Sequence, residues 1–494
     1  MSGSHEIELK FLCAPEDLGS VLAAAPEGDD DTRELISVYF DTPDLALQKA
    51  GVSLRVRESK GRKVQTLKRG DGLAREEHEE PVEGDRPTPD LGPLRELLPD
   101  GGADALKPAF NVHVTRRQRL VRYHDAEIEL ALDQGEVRGG QRASPISEVE
   151  LELKSGRPEA LFELARELGE AAPLYLSFDG KASRGQALVA GAPLQARRKE
   201  RVELAPDAST AAAFQAVARN ALGQIAANAV VLRESADPEA VHQLRVAVRR
   251  LRSALSTFAP VVRDEASGAI RDELRWLAHA CNDARDLDVF AERMAETARA
   301  MDPPPAGLAA LREAVQAARG RASAAAAEAV TSARFRALMI DVTAWLETGP
   351  WLADAARAGL RETPARAFAD EALEARRRKL LKRGRDLKHA DDAARHDTRL
   401  EAKKLRYTAE AFASLYPEKA TGRFLRALKT LQEELGALND LAVAEPLVAR
   451  LTLPQDAAVA AGELIGVQAC EKPRRIEAAD RALRRLAKAD RFWR

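Results

Sequence analysis

The chain has 494 residues, a formal net charge of −2, and a composition that is 31% charged and only 4% aromatic. So few aromatic residues argue against a base-stacking surface for single-stranded nucleic acid, and we expect no nucleic-acid partner. The start MSGSHEIELKF has no apolar core of signal-peptide length, and no apolar run is long enough to span a membrane. The three cysteines lie far apart in sequence. We therefore expect a soluble cytoplasmic protein with neither a disulfide framework nor a membrane partner.

The charge is divided unevenly along the chain. Residues 1–199 contain 28 Lys and Arg against 36 Asp and Glu, a net −8, whereas residues 200–494 contain 48 against 42, a net +6. A chain of this length forms at least two domains, and opposite net charges indicate different functions. We predict one domain at 1–190, a linker at 191–204 and a second domain at 205–490.

The N-terminal part alternates apolar and polar residues with a period of two, which is typical of half-buried strands. Pro158–Gly169 has apolar residues at three- and four-residue spacing and is predicted to be a helix, whereas Gln186–Arg201 mixes Gly, Pro and basic residues like a linker. This many strands with few interruptions favour an antiparallel barrel or a strongly curled sheet. The predicted strands span 5–12, 35–40, 52–58, 62–68, 75–82, 111–122, 126–133 and 146–155.

From about Pro206 the chain is rich in alanine and has apolar residues at helical spacing, which predicts an all-α bundle. The bundle contains an internal repeat. Residues 242–252 align with 396–406 at an offset of 154, and the same register continues to Arg285-Asp286-Leu287 and Asn439-Asp440-Leu441. We predict two related halves, at about 206–350 and 360–490, around a pseudo-two-fold axis.

Three of the predicted strands place carboxylates along one face. Glu6-Ile7-Glu8-Leu9-Lys10 and Glu148–Lys154 project charged groups from one face and apolar groups from the other, and 127–133 has a similar pattern. Carboxylates held this close repel one another unless a cation lies among them, which indicates a divalent metal. A surface strand with cross-strand ion pairs is the alternative for any one segment, but three such strands favour a shared cavity.

Basic residues also recur at strand spacing. Arg55 and Arg57 share a face, Lys68 ends another strand, and three arginines crowd residues 116–119. Burying charges of both signs without partners would cost several kcal/mol per ion. A ligand dense in negative charge, accompanied by a metal, would satisfy both the basic and the acidic groups.

The repeat in the helical half presents a basic stripe twice. At about 100° per residue, the basic side chains lie on one side of each helix and the leucines lie roughly opposite. Like charges at this spacing cost a few tenths of a kcal/mol each, so their repetition predicts an anion-binding surface. The alternatives are a solvated face and, for the histidines, simple capping or packing. The stripes comprise His242, Arg245, Arg249 and Arg252, and His396, Arg399, Lys403 and Arg406.

These motifs resemble two known families. Glu6–Lys10 matches the ExExK signature of the CYTH, or triphosphate tunnel metalloenzyme, superfamily, and the resemblance extends over about 4–190. It is also carried by Val38–Pro43, Gly51–Arg57, Thr66–Lys68, Arg75–Glu79, Ile128–Gly135, Glu148–Lys154 and Gly180–Gly185. Residues 205–490 resemble the CHAD domain, whose two histidine motifs match the two basic stripes. The order is that of a bacterial family of inorganic triphosphatase-like proteins.

The resemblance implies an α+β multidomain chain, with an eight-stranded antiparallel tunnel that holds triphosphate and an all-α bundle associated with polyphosphate. It implies that Glu6, Glu8, Glu150 and Glu152 coordinate Mg²⁺ or Mn²⁺. Spacing from Phe110 favours Arg116 as the tunnel residue on its strand, with Arg117 and Arg119 as alternatives. The implied phosphate-binding residues are Lys10, Arg55, Arg57, Lys68, Arg116 and Lys181. Glu148 would position the attacking water, and Lys10 and Arg57 would stabilise developing charge. Glu77, Glu79, Glu129 and Asp133 are further candidates for metal or water positioning.

The resulting hypothesis is metal-dependent hydrolysis of inorganic triphosphate to pyrophosphate and phosphate, with inorganic polyphosphate bound by the helical domain. Such a protein could associate with polyphosphate granules in the cytoplasm. One alternative is a weakly catalytic or non-catalytic polyphosphate receptor. Another is a tunnel enzyme for an organic triphosphate such as thiamine triphosphate.

Overall fold

The computed structural model describes residues 4–70, 74–88, 94, 97–98, 104–192, 194–235 and 237–494; the side chains of 4–6 and 74–76 lie outside this description. The chain divides into two compact units. A β unit comprises 1–195 with 332–344, and a helical unit comprises 196–331 with 345–494. Among the described helices, none is both long and apolar enough to cross a lipid bilayer.

The β unit is built on one antiparallel sheet in the order β5-β4-β3-β2-β6-β7-β8-β1, with a short β9 at Tyr175–Leu176 beside β1. Because β1 also pairs with β5, the strand pairings return to their starting point as a ring of eight. This confirms the predicted antiparallel fold. The strands of the ring are β1 (Ser4–Leu12), β2 (Asp30–Asp41), β3 (Val52–Ser59), β4 (Arg62–Arg69), β5 (Ala74–Pro81), β6 (Lys107–Tyr123), β7 (Ala126–Gly139) and β8 (Arg142–Ser155).

The strands alternate between a charged inner face and an apolar outer face. On β1, Lys10 is turned inward to the acidic groups of β8, and its neighbours Leu9 and Phe11 are almost completely buried. The apolar side of α3 (Glu159–Ala171) packs against β8 and against α1 (Leu18–Ala24). Burying the apolar face under helices leaves the charged groups to line the interior of the ring.

One end of the ring is filled by apolar side chains. Beyond the charged residues, the inner faces of β2, β6, β7 and β8 carry a buried apolar cluster that includes Leu35, Val114 and Val137. Helix α4 (Lys181–Val189) packs against β6, β7 and β8 at this end. A Cβ at Gly185 would lie 2.1 Å from the ring of Phe110, so only glycine permits this approach. A further short helix, α2, spans Ala46–Lys49.

The predicted boundaries differ from the observed ones where polar residues form secondary structure. β2 begins at Asp30 rather than 35, because Asp30–Glu34 pair with β6 although they have no apolar alternation. The predicted linker at 186–201 begins inside α4, whose last residue is Val189. Strand pairing and packing against the ring decide these segments, and neither can be read from local composition.

The helical unit consists of packed helices that begin with α5 (Thr210–Glu234) and end with α17 (Lys472–Lys488). Its aromatic core contains Phe258 and Phe412, both fully buried, with ring centroids 5.4 Å apart. The other helices are α6 (Pro238–Thr257), α7 (Ala259–Val262), α8 (Glu265–Ala280), α9 (Asn282–Arg299), α10 (Leu308–Thr331), α11 (Ala333–Thr348, whose 333–344 belong to the β unit), α12 (Ala358–Glu362), α13 (Ala365–Arg383), α14 (Asp392–Ala411), α15 (Glu418–Ala449) and α16 (Gln455–Cys470).

The helix boundaries follow the predicted repeat. Both ends of α6 and α14 differ by 154 residues, and each helix is capped by an aspartate, Asp237 or Asp391, that accepts a backbone N–H. Phe258 and Phe412 follow the two helices at the same offset. The halves differ at Cys281, which separates α8 from α9 where α15 is continuous. The internal duplication is therefore a property of the fold.

Candidate functional site

The innermost charged group of the ring is Lys181, the first residue of α4. Its Nζ lies 2.7 Å from Asp133 Oδ2 and 2.8 Å from both Glu148 Oε2 and Glu150 Oε1. Burial alone would lower the pKa of Lys181, but these three carboxylates raise it well above its usual value. The ammonium is therefore held permanently charged where the apolar end of the ring begins.

Glu150 is surrounded by cations. Besides Lys181, its carboxylate accepts from Arg116 and lies 3.1 Å from Lys10 Nζ. Burial would raise the pKa of Glu150, but Lys181, Lys10 and Arg116 hold it well below its usual value. Arg116 also binds Asp133 through two nitrogens, at 2.7 Å and 2.6 Å. Both oxygens of Glu150 are thus already occupied by positively charged donors.

Glu148 is also fully enclosed. Its side chain has 0% exposure, and its second oxygen, Oε1, lies 3.1 Å from Arg184 Nη2. Lys181 and Arg184 each contact one of the two oxygens of this carboxylate. Glu148 is placed to hold these two basic groups in position.

The opposite side of the ring interior has an excess of positive charge. Arg57 donates to Ser37 Oγ at 3.4 Å, and no carboxylate of the described side chains lies within 4.0 Å of it. Burial, followed by the proximity of Arg55 and Arg116, lowers the pKa of Arg57 to about 10. Arg55 is only loosely paired, at 3.8 Å from Glu77. Arg57 therefore lacks a compensating negative charge and, with the loosely paired Arg55 beside it, is suited to bind an anion.

Lys68 and Glu77 form a closer pair beside these arginines. Lys68 Nζ lies 2.7 Å from Glu77 Oε2, and Glu77 is buried. Glu79 accepts from Thr66 Oγ1 at 2.8 Å. The acidic groups of β5 therefore orient the cations of β3 and β4.

An acidic row crosses three neighbouring strands. Glu8 on β1 is opposite Glu152 on β8, and Glu152 is opposite Glu129 on β7. The pKa of Glu152 is raised, first by burial and then by the nearby carboxylates of Glu129 and Glu8. Lys154, whose Nζ lies 2.5 Å from Glu152 Oε1, opposes this by lowering the pKa. Glu6 belongs to the same strand face by alternation, but its side chain lies outside the described residues.

The donor types of this row fit a hard divalent cation, which prefers carboxylate oxygens. Within the part of the chain whose side chains are described, no three acidic, histidine or cysteine side chains converge closely enough to hold a metal ion. The acidic row therefore fits a divalent cation in the type of its ligands and in their positions on the strands. The carboxylates would have to rotate towards one another to share an ion.

The structure brings most of the predicted tunnel residues together. Arg116 contacts the interior acids, whereas Arg117 is exposed and Arg119 binds Asp30 and the carbonyl of Leu22. Two interior cations were not predicted. Arg184 could have been found from its position one turn after Lys181, whereas Arg33 lies in the polar start of β2, which has no strand pattern.

The helical unit contains the second candidate site. The two basic stripes meet across a cavity of about 200 Å³ between α6, α9, α14 and α15. Arg249 Nε donates to Tyr407 OH at 2.7 Å, which joins α6 to α14. The basic residues that line this cavity, here called the helical cavity, are His242, Arg245, Arg249, Arg285, Arg293, Arg399 and Lys403.

Positive charge in the helical cavity is poorly compensated. No carboxylate of the described residues lies within 4.0 Å of Arg399 or Lys403, and Arg245 lies 3.7 Å from Asp286. Burial, with Arg249, Arg399 and Arg245 nearby, lowers the pKa of Lys403 to about 6. Burial and the neighbouring arginines likewise lower the pKa of His242 to about 4. At neutral pH this imidazole is uncharged.

Three of the predicted stripe residues are absent from the lining of the helical cavity. Arg252 lies on α6 after the lining residue Arg249. His396 is hydrogen-bonded to Asn439 at 2.6 Å, and Arg406 donates to Glu410 at 2.8 Å. Sequence reasoning missed Arg285 and Arg293 as cavity residues, although Arg285 lies in the repeated segment that aligns the two halves. Each stripe therefore contributes to the cavity only in part.

Comparison with known proteins agrees with this architecture. The geometry defines a protein of two parts. The first is a ring of antiparallel strands lined by carboxylates and basic residues, and the second is a duplicated helical bundle. The CYTH domain model matches residues 4–185, and the CHAD domain model matches 216–449. The chain belongs to the CYTH and CHAD families, with a CYTH domain followed by a CHAD domain.

Two relatives illustrate the two parts. Over 193 residues the chain is 33% identical to the inorganic triphosphatase of Haemophilus influenzae, a match that covers 37% of this chain and 55% of that protein. The chain thus spans about half the length of this curated relative. The crystal structure of the CHAD domain from the plant Ricinus communis is 34% identical, has a TM-score of 0.51, and is matched over 60% of this chain and 98% of that one.

Proposed function

We propose that the β unit hydrolyses inorganic triphosphate to pyrophosphate and phosphate with Mg²⁺ or Mn²⁺, and that the helical unit binds inorganic polyphosphate. The observation that carries the first part is Arg57, a partly buried guanidinium with no carboxylate partner among the described residues. A phosphate chain beside Arg57 and the loosely paired Arg55 would supply the negative charge that Arg57 lacks. The match to an inorganic triphosphatase supports the same substrate.

The residues of the ring divide the task by position. Arg57 and Arg55 would bind phosphate oxygens and neutralise the charge that develops during transfer, and Lys68 would assist them. Lys10, Arg116 and Lys181 would bind phosphate at the inner end, where Glu150 and the other carboxylates now hold them. We assign Glu148 to positioning Lys181 and Arg184, since its carboxylate has no exposed surface.

We propose the acidic row as the metal site, with Glu8 and Glu152 as ligands and Glu6 and Glu129 beside them. A bound divalent ion would screen the phosphate charge and favour attack by water. Glu150, implied by resemblance as a fourth ligand, would need to lose three cationic donors before binding a metal. Glu129 occupies the acidic row itself and replaces Glu150 in this assignment.

The test of the β unit uses the purified full chain with triphosphate and Mg²⁺ or Mn²⁺, and phosphate release is measured with and without a chelator. Arg57→Gln should lower kcat/KM by about 10²-fold, since one charged donor to the reacting group is lost. Arg117→Gln is the matched control, because Arg117 is exposed. No metal-dependent release by the wild type, or similar rates for the two variants, would refute the assignment.

The helical cavity supports the second part of the proposal. Its basic groups come from both halves of the repeat and have few acidic partners, so a polyanion could contact both halves at once. Binding should weaken steeply with salt, because each neutralised phosphate releases counterions.

The polyphosphate test is titration of the full chain with long-chain polyphosphate at several salt concentrations. Arg399→Gln should weaken binding and reduce the slope of log Kd against log salt by roughly one. Lys404→Gln is the control, because Lys404 is already paired with Glu401 at 2.8 Å. Equal effects of the two substitutions would place the binding surface elsewhere.

A further inference from the structure

Lys403 differs from the lysine beside it in the sequence. Lys403 lines the helical cavity, and none of the described carboxylates lies within 4.0 Å of its Nζ. Lys404, on the same helix, is 2.8 Å from Glu401 Oε1. One residue apart, the chain therefore places one amine among guanidiniums and the other against a carboxylate.

The surroundings of Lys403 favour the neutral amine. Burial and three arginines bring its pKa to about 6. At pH 7.5 an amine with that pKa is about 97% neutral, against about 0.1% for an ordinary lysine. A desolvated lysine next to other cations is a recognised way to obtain a nucleophilic amine. Lys403 lines the cavity and is only partly enclosed, so a small molecule can reach it.

The arginines around Lys403 favour an electrophile that carries a phosphate group. Arg245, Arg249 and Arg399 flank Lys403, and guanidiniums bind phosphate oxygens with two N–H groups. An acyl phosphate combines an anionic phosphate with a reactive carbonyl in one small molecule. Its two negative charges are outnumbered by these three guanidiniums, so the amine stays in positive surroundings while the ligand is bound.

We propose that Lys403 is an acylation site for acyl phosphates recruited by the guanidiniums of the helical cavity. The neutral Nζ attacks the carbonyl carbon, a C–N bond forms, and the bond between that carbon and the bridging oxygen breaks, so that this oxygen stays on phosphorus. Inorganic phosphate leaves with the electron pair, and the amine proton passes to it or to solvent. The product is an amide without charge. This inference does not depend on polyphosphate being the ligand of the cavity.

The experiment incubates the full chain with acetyl phosphate at pH 7.5 and measures acetylation by mass spectrometry. Cleavage after glutamate leaves both lysines in one peptide, 402–410, so fragmentation compares them directly. Lys403 should react at least about tenfold faster than Lys404, because the gain in neutral amine exceeds the loss in intrinsic nucleophilicity. Equal rates, or faster reaction of Lys404, would overturn the proposal.

Two further arms separate recruitment from reactivity. The preference for Lys403 should be larger with acetyl phosphate than with uncharged acetic anhydride, and an equal preference would refute recruitment by guanidiniums. Arg399→Gln should slow acetylation of Lys403 by acetyl phosphate about tenfold, since a phosphate-binding group is lost. An unchanged rate in a variant with wild-type circular dichroism would also refute it.

The pH profile provides an independent measure. The rate at Lys403 should rise between pH 5 and 7 and then level, whereas an ordinary lysine continues to gain reactivity up to about pH 10. A rate at Lys403 that still rises between pH 8 and 10 would refute the neutral amine. The charged and titratable groups around it are His242, Arg245 and Arg249 on α6, Arg285, Asp286 and Arg293 on α9, Arg399 on α14, and Asp440 on α15.

Discussion

Replacing Lys181 with methionine would remove one charge from the most enclosed ionic cluster of the β unit while keeping the length of the side chain. Asp133, Glu148 and Glu150 would then share the remaining basic groups. Removing one partner of a buried pair costs about 3–5 kcal/mol. For a unit of this size, each kcal/mol lowers Tm by about 2–4 °C, so we expect a decrease of roughly 6–20 °C.

The loss should depend on pH with a definite sign. In the folded protein the pKa values of Asp133 and Glu150 are lowered, and Lys181 is the largest cause of that lowering in each. The stability that these two carboxylates contribute is therefore present above their unfolded pKa values. It is lost as the pH falls through their folded pKa values. Without Lys181 these carboxylates gain protons more easily. The difference in Tm between the variant and the wild type should therefore be larger at pH 7.5 than at pH 4.5.

Calorimetry of the full chain at both pH values measures this difference, and hydrogen exchange of residues 126–155 assigns the transition to the β unit. Lys154→Met is the matched control. Its ammonium is partly exposed beside Glu152, where an ion pair contributes at most about 1 kcal/mol. A Tm for Lys181→Met within 2 °C of the wild type, or an equal loss at both pH values, would contradict the reasoning.

Three further predictions concern packing and pH. Gly185→Ala should destabilise the β unit by about 1–3 kcal/mol, because the new Cβ would lie 2.1 Å from the ring of Phe110. Gly169→Ala is the control; its Cβ would meet nothing within 4 Å, so it should be neutral or stabilising. Thermal unfolding compares the two variants. Phe258→Ala and Phe412→Ala should each cost about 3–5 kcal/mol, with a coupling of at least 0.5 kcal/mol in the double variant by denaturant unfolding. His242→Gln should flatten the loss of stability between pH 6.5 and 4, because the unfolded imidazole binds a proton that the folded one, with a pKa of about 4, does not.

Each of these has a clear contrary result. A Tm for Gly185→Ala equal to that of Gly169→Ala would mean that the chain shifts freely near α4. Strict additivity of the two phenylalanine substitutions would show that the equivalent rings are energetically independent. An identical pH profile for His242→Gln would assign the acid sensitivity to other groups.

Much of the fold could be predicted from patterns that depend on single elements. Strand alternation on β1, β7 and β8 predicted which residues face inward, and the offset of 154 residues predicted that α6 and α14 are equivalent. These patterns are strong because burial of one face constrains every second or every third to fourth residue. The polar start of β2 escaped detection because its pairing with β6 is a tertiary event.

The candidate sites show a sharper limit of sequence reasoning. The sequence indicated which carboxylates and basic groups share an interior, but pairing between them depends on where the ends of long side chains meet. Glu150 and Glu152 lie on the same strand face, yet one is enclosed by Lys181, Lys10 and Arg116 while the other lies in the acidic row. Arg249 and Lys403 likewise line one cavity because α6 and α14 pack together, joined by the hydrogen bond from Arg249 to Tyr407.

The apolar cluster and α4 make the two ends of the ring different. Since one end is filled by side chains that exclude ions, a phosphate chain would have a single way in, and both products would have to leave by the same opening. On this basis we expect a long polymer to enter by one end without threading through, so that only its terminal phosphates reach Arg57. On the proposed function, cleavage would proceed from a chain end and require a fresh encounter after each turnover.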